Sequence, residues 1–270
     1  MSTVLITGAS SGIGRATAAA FANDGWDVVA TMRSPEPSAE NGMLVTQLDV
    51  QDPASIDAAI QRGIEAYGGI DVVVNNAGYG RFGLFEAVSP EEARRQFDVN
   101  VFGPMAVIRA VLPHMRERGS GVIVNVSSGA GLYGLPGASL YCASKFALEG
   151  FSEAVSYELA AVGVIVKLVI PHGGVSGTEF PGRAAADGPP PPPGYDAFFE
   201  QSAAAAADAP APVMVPAQRV ARVIVEAATD GTDQLRYLVG NDARGFIRAW
   251  DTLPNTEYVA FMRAHFRGAR

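Results

Sequence analysis

The sequence predicts an α/β fold, a doubly wound and mostly parallel sheet with helices on both faces. Three observations carry that prediction. Short apolar, β-branched runs alternate with helix-like stretches along most of the 270 residues, which is the pattern of βαβ units. Several runs, VVV at 72–74 and VIV at 122–124 among them, are apolar on both faces, as strands between two helical layers must be. A glycine-rich turn follows the first run directly and leads into a helix.

Taken in order, strands are expected at 4–7, 27–31, 43–48, 71–75, 122–127, 164–170 and 235–239. Helical periodicity fills 13–23, 54–67, 91–118, 139–161 and 218–228. One segment breaks the rhythm. Residues 181–216 hold a run of five prolines ending in Gly194, an alanine run and little periodicity, with Phe180, Tyr195, Phe198, Phe199 and Met214 interspersed. Strand and helix patterns resume after it. The chain is therefore expected to form one domain over 1–270, with a substrate-lid insertion at 180–216. The stretch 255–270 has the pattern of a short helix.

Composition narrows the function. Hydrophobic residues make up 48% of the chain and charged residues 18%, enough for a substantial core and too few charges for a disordered protein. A net charge of −8 and a pI near 4.9 leave no broad basic face for nucleic acid. The single cysteine, Cys142, excludes an intrachain disulfide and reads as a small space-filling residue. His114, His172 and His265 are too scattered to bind a metal, and His172 reads as a solvated loop residue. The N-terminus has no signal-peptide pattern, and no apolar run approaches the roughly 18 residues of a membrane span. A soluble cytoplasmic protein is expected.

The chain contains two lysines against eighteen arginines, and Lys145 lies four residues after Tyr141 in YCASK. Residues so spaced share a helix face. A nearby ammonium favours the phenolate, so the pair predicts a tyrosine of lowered pKa that gives and takes a proton. A compact ammonium suits this task better than a planar guanidinium.

The turn TGASSGIG supplies Gly8, Ser10, Ser11, Gly12, Ile13 and Gly14. Its glycines let the backbone approach a pyrophosphate, and the helix that follows offers free N–H groups and a partial positive charge. A dinucleotide is therefore the expected cofactor. At the end of the second strand Met32 stands where an acid would bind the ribose of NAD, and Arg33 follows as an anchor for the 2′-phosphate of NADP. NADP is expected over NAD, with Arg15 adding to the field.

TGASSGIG, NNAG at 75–78, the serine of NVSSG and YCASK occur in an order and spacing that resemble the compact, single-domain branch of the short-chain dehydrogenase/reductase family, over roughly residues 3–180. The resemblance implies a Rossmann-type fold and a catalytic set of Asn100, Ser128, Tyr141 and Lys145, with Tyr141 as general acid/base. Ser127 competes for the serine role, and Ser128 is preferred on its spacing from the tyrosine. The resemblance further implies that Lys145 and Tyr141 contact the cofactor. Asp49 and Val50 would lie by the adenine, Asn76, Ala77 and Gly78 would line the cleft, and Pro171, Gly173, Val175 and Thr178 would meet the nicotinamide. The chain departs from the family at Pro171, where His172, Gly173 and Gly174 replace a Pro-Gly step and Thr178 comes two residues late. Pro104 has no N–H for the carbonyl of Asn100, so a local bend is expected there, with the freed carbonyl available to a proton-relaying water.

The expected activity interconverts an alcohol and a ketone or aldehyde on a small apolar substrate. Alternatives are a catalytically silent nucleotide sensor or scaffold of the same fold, and an epimerase or dehydratase of the extended branch. Family likeness also implies a homodimer or homotetramer, paired through the helices that carry Asn100 and Tyr141.

Overall fold

The computed structural model describes residues 1–35, 42–180, 190–208 and 213–267. The strands are β1 (Thr3–Ile6), β2 (Asp27–Met32), β3 (Leu44–Gln47), β4 (Val72–Asn75), β5 (Gly121–Val126), β6 (Val164–His172) and β9 (Arg236–Gly240), with β7 (Val175–Ser176) and β8 (Val215–Pro216) pairing apart. The main sheet runs β3-β2-β1-β4-β5-β6-β9, and every pairing in it is parallel. Consecutive strands wind outward in both directions from the β1–β4 boundary. All strand C-termini therefore open on one edge, with a crevice at that switch point.

Successive side chains of a strand point to opposite faces, and the two cores follow from that. Val4 and Ile6 of β1 pack with Ala18 and Phe21 of α1 (Gly12–Asn23) and with Val220 and Ile224 of α7 (Ala217–Thr229). Leu5 faces the other way, toward Ile56 and Ile60 of α2 (Pro53–Tyr67), Val107 and Val111 of α4 (Gly103–Arg118), and Val155 and Leu159 of α5 (Ser139–Ala160). Local signals set the helix ends. Asp52 caps α2 by accepting from the Ala54 N–H, and Gly68 ends it at φ 81°. Ser89 and Glu92 form a capping box at the start of α3 (Pro90–Phe97).

Two expectations are corrected. Residues 91–118 are not one regular helix, because a π-turn over Asp98–Phe102 separates α3 from α4. There the Gly103 N–H donates to the Asp98 carbonyl five residues back, and Pro104, just beyond, has no N–H to restore the ordinary ladder. The segment 180–216 is not irregular throughout, because α6 (Asp196–Asp208) lies within it. Its run of five alanines, read as low complexity, is made of the strongest helix former. Of the expected lid, 181–189 and 209–212 lie outside the described residues. Beyond β9 come α8 (Phe246–Thr252) and α9 (Asn255–Arg267), and α9 packs on α6.

Candidate active site and cofactor cleft

The turn between β1 and α1 forms the floor of the crevice. Gly8 and Gly12 have φ of 68° and 55°, a region that disfavours side chains. A Cβ on Gly14 would lie 2.2 Å from the Gly8 carbonyl oxygen and 2.5 Å from Asn76 Nδ2. Asn76 accounts for that crowding, since its Nδ2 donates to the carbonyls of Thr7 and Gly8 at 3.0 and 3.1 Å. Thr7 Oγ1 accepts in return from the N–H groups of Asn76 and Ala77, both at 3.0 Å. Ser11, the N-cap of α1, makes no side-chain capping bond, and the first turn carries no acid. The N–H groups of that turn thus face the crevice without a side-chain acceptor, which fits the pyrophosphate of a dinucleotide.

The other cofactor candidates ring this turn. Asp49 and Val50 follow β3, where Asp49 Oδ1 accepts from the Gln51 N–H at 3.0 Å and Val50 is buried against Gly103. Gly78 sits against Asn100 Oδ1. Pro171 pairs with Val239 near the end of β6, and Val175 pairs with Val215. Thr178 reaches back over the phosphate turn, its methyl 3.2 Å from where a Gly12 Cβ would lie. Gly173 and Gly174 both have positive φ, 72° and 102°. Gly173 also passes so close to the Asn241 carbonyl that a Cβ would lie 2.2 Å from its oxygen. His172 is not the solvated loop residue expected. It is the last residue of β6 and half-buried against Gly129 and Gly240, and burial lowers its pKa. Met32 lines a cleft of about 270 Å³ with Ala9, Arg15, Ala18, Met43 and Val45, and Arg33 is exposed just beyond.

The structure brings Ser128, Tyr141 and Lys145 together at the sheet's C-terminal edge. Tyr141 and Lys145 lie one turn apart on α5, 8% and 7% exposed. Ser128 caps the short turn Gly129–Gly131 after β5, where its Oγ accepts from the Ala130 N–H at 3.2 Å. Lys145 Nζ donates to the Val126 carbonyl at 2.9 Å and lies 5.9 Å from the centre of the Tyr141 ring. The expected lowering of the tyrosine pKa is not what this geometry produces. Burial pushes the phenol up to about 12, and the hydrogen bond with Ser128 offsets that only in part. The cover is aromatic: Phe82 and Phe180 lie 5.7 and 5.3 Å from the Tyr141 ring, centre to centre. Burial also brings Lys145 down to about 8, against the opposing pull of the Glu149 carboxylate.

Asn100 sits in the π-turn with its side chain fully engaged. Its Nδ2 donates to the Tyr79 carbonyl at 2.8 Å and to Ser144 Oγ at 3.1 Å, and its Oδ1 accepts from the Tyr79 N–H at 3.1 Å. Gln96, one turn earlier and also buried, binds the Tyr79 carbonyl and the Arg81 N–H at 2.6 and 2.7 Å. Two amides thus hold the loop that delivers Phe82 to Tyr141. The sequence reading missed Gln96, whose spacing of four from Asn100 was the available signal. It also missed Glu149, four residues after Lys145. Beyond Leu135, which packs on the Tyr141 cluster, a cleft of about 490 Å³ opens between α6 and α9, lined by Pro136, Phe198, Tyr258, Met262, Arg263 and Phe266.

The fold is shared with known proteins. The chain is 37% identical over 239 residues to an uncharacterized oxidoreductase of Schizosaccharomyces pombe, covering 87% of this chain and 98% of that one. It is 40% identical over 197 residues to human retinol dehydrogenase 8, covering 68% and 62%. A short-chain dehydrogenase structure from Streptomyces avermitilis superposes with a TM-score of 0.76 at 34% identity, covering 97% of this chain and 93% of the other. The sequence profile described as short chain dehydrogenase matches residues 2–187. The protein thus belongs to the short-chain dehydrogenase family of oxidoreductases, whose fold binds a nicotinamide cofactor.

Proposed function

We propose that the protein is an NADP-dependent enzyme that interconverts an alcohol and a ketone or aldehyde on an apolar substrate, with Tyr141 as general acid/base. The observation that carries this reading is the meeting of Tyr141, Ser128 and Lys145 beside an uncapped helix N-terminus. The glycine turn, braced by Asn76, would hold the pyrophosphate, and the bound nicotinamide would supply or accept the hydride. Tyr141 Oη gives its proton to the developing alkoxide, and the Ser128 hydroxyl donates a hydrogen bond to the same oxygen. The Lys145 ammonium favours the phenolate left behind. A phenol held near 12 stays protonated until substrate arrives, which suits the reductive direction. NADP over NAD is supported by Met32, which offers no carboxylate to a ribose hydroxyl, and by Arg15 and Arg33 at the same end of the cleft. Phe82 and Phe180 around Tyr141 support an apolar substrate. So does a relative named for retinol, an apolar alcohol. Exposed Phe102 and Phe146, on the π-turn and α5, support pairing between copies.

The test is reduction of a panel of ketones and aldehydes, followed by nicotinamide absorbance with NADPH and NADH. Hydrophobic ketones should give the higher kcat/KM. Tyr141→Phe should abolish turnover and leave nucleotide binding intact. Arg33→Asp should weaken NADPH far more than NADH, by about 1.5–3 kcal/mol for a charge-assisted contact. Turnover by Tyr141→Phe would sink the mechanism. Nucleotide binding without turnover on any substrate would favour the silent sensor instead.

A further inference from the structure

Glu149 is a buried carboxylate that the proton transfer above does not use. It lies one turn beyond Lys145 on α5 and is 5% exposed. Its Oε2 accepts from Arg236 Nε of β9 at 3.0 Å, while Arg236 Nη2 binds the more exposed Glu153 at 2.6 Å. Oε1 has no well-formed hydrogen bond, and neither does the buried Ser127 hydroxyl. The two groups are nonetheless neighbours. A Cβ on Gly131 would meet Glu149 Cγ and Ser127 Oγ, each at 3.0 Å, and Ser127 lowers the carboxyl's pKa. A carboxylate this enclosed is costly unless it is paired. Arg236 covers one oxygen, and the other faces the interior where Lys145 and Ser127 lie.

Among the described residues, the surroundings of Lys145 offer no second anion. Its Nζ has the Val126 carbonyl of β5 as a neutral acceptor, and Tyr141 on its own helix. The π-turn presents Asn100, which donates to Ser144 Oγ of α5, and both groups are neutral. Among the described residues, Glu149 is the only charged group that acts on Lys145. Those that act on Glu149 are Arg236 and Lys145.

We propose that Glu149, clamped by Arg236 from β9, is the counter-ion that keeps Lys145 charged inside the site, a positioning residue for the proton step. The proposal rests on the catalytic reading of Tyr141 and Lys145. Burial alone would drive the Lys145 ammonium toward its neutral form, leaving nothing to favour the Tyr141 phenolate. The pull of Glu149 opposes this, so that Lys145 titrates near 8 and not lower. The edge strand β9 thereby takes part in the chemistry of α5 through one guanidinium.

The chain's composition permits a direct test. With Lys145 and Lys167 the only lysines, uniform 13C-lysine labelling gives two side-chain Cε signals, which Lys145→Met assigns. In Glu149→Gln the Lys145 midpoint should fall by about one pH unit or more, as expected on losing an opposite charge one helical turn away. The Lys167 signal should stay put, and the alkaline fall in kcat should move with the Lys145 midpoint. Should Glu149→Gln fail to fold, Lys145→Met reads the same coupling from the other side, because linkage is reciprocal. The Glu149 carboxyl, followed by 13C-glutamate labelling, should then titrate higher than in the wild type. An unmoved midpoint in the folded variant overturns the proposal. A midpoint that moves while the kcat profile does not would leave the ion pair standing and refute the catalytic reading of Lys145.

Discussion

Lys167 and Asp230 form a buried charge pair whose two halves should be unequal in their effect on stability. Lys167 is 1% exposed in the middle of β6, and its Nζ spends all three donors, on Asp230 Oδ1 at 2.9 Å, Tyr237 Oη at 2.8 Å and Thr232 Oγ1 at 3.2 Å. Asp230 is 21% exposed and has other donors, namely the Thr232 N–H and hydroxyl and the Tyr237 hydroxyl. Lys167→Met therefore leaves behind an acid that water and three donors still satisfy. It should cost roughly 1–2 kcal/mol, the loss of a charge-assisted bond partly offset by the methionine's burial. Asp230→Ala strands a cation between two hydroxyls. It should cost about 3–5 kcal/mol, nearer the lower bound because water reaches that side. The pair also sets a pH dependence. Burial raises the Asp230 carboxyl, but hydrogen bonds from Tyr237, Thr232 and Lys167 outweigh that and leave it well below the usual carboxylate range. A depressed folded-state pKa stabilises above the unfolded value, so the cost of Asp230→Ala should be level from pH 8 to about 5. It should then shrink as pH falls below about 4. Urea unfolding at several pH values measures both effects. Lys167 is five residues from the end of β6, roughly 16 Å at about 3.3 Å per residue, so kcat and KM should not change. A Lys167→Met loss equal to or above that of Asp230→Ala would refute the reasoning.

Three further outcomes follow from the site. Gly14→Ala should force the turn open against the Gly8 carbonyl and Asn76, with a loss of about 1–3 kcal/mol in stability and a large rise in nucleotide Kd by calorimetry. Phe180→Ala should uncover the phenol and bring the Tyr141 midpoint down from about 12, as read by ultraviolet titration against a Tyr141→Phe background. Lys145→Arg should lose turnover although it keeps the charge, because a planar fork does not reproduce the ammonium's contact with the Val126 carbonyl at 2.9 Å in so enclosed a site. Steady-state kinetics at saturating nucleotide checks it.

The sheet was legible because its central parallel strands, buried on both faces, write themselves as apolar runs, and all seven expected strands joined one sheet. The glycine turn was legible for a related reason, since only glycine tolerates the approaches made at Gly8 and Gly14. What escaped depended on distance in sequence or on competing local signals. The alanine run of α6 looked like filler because prolines flank the segment and its packing partner, α9, arrives some fifty residues later. The direction of the Tyr141 shift was misread because helical spacing reveals Lys145 but not Phe82 and Phe180, which supply the burial. Glu149 was visible in the sequence, yet its clamp, Arg236, lies on another strand.

The π-turn at Asp98–Phe102 gives this stretch a fixed residue count. An ordinary α-helix advances about 100° per residue, so an added residue in one turn rotates everything on one side of it relative to the other. Upstream of the turn, Gln96 must face the Tyr79–Arg81 loop, and downstream, Val107 and Val111 must face the sheet. Both requirements are met only with the wide turn in place. Deleting one residue from 98–102 would remove the wide turn and throw one of these two faces out of phase. Homologous chains that keep both the amide-held loop and the α4 core should therefore align through this stretch without gaps, even where their side chains differ.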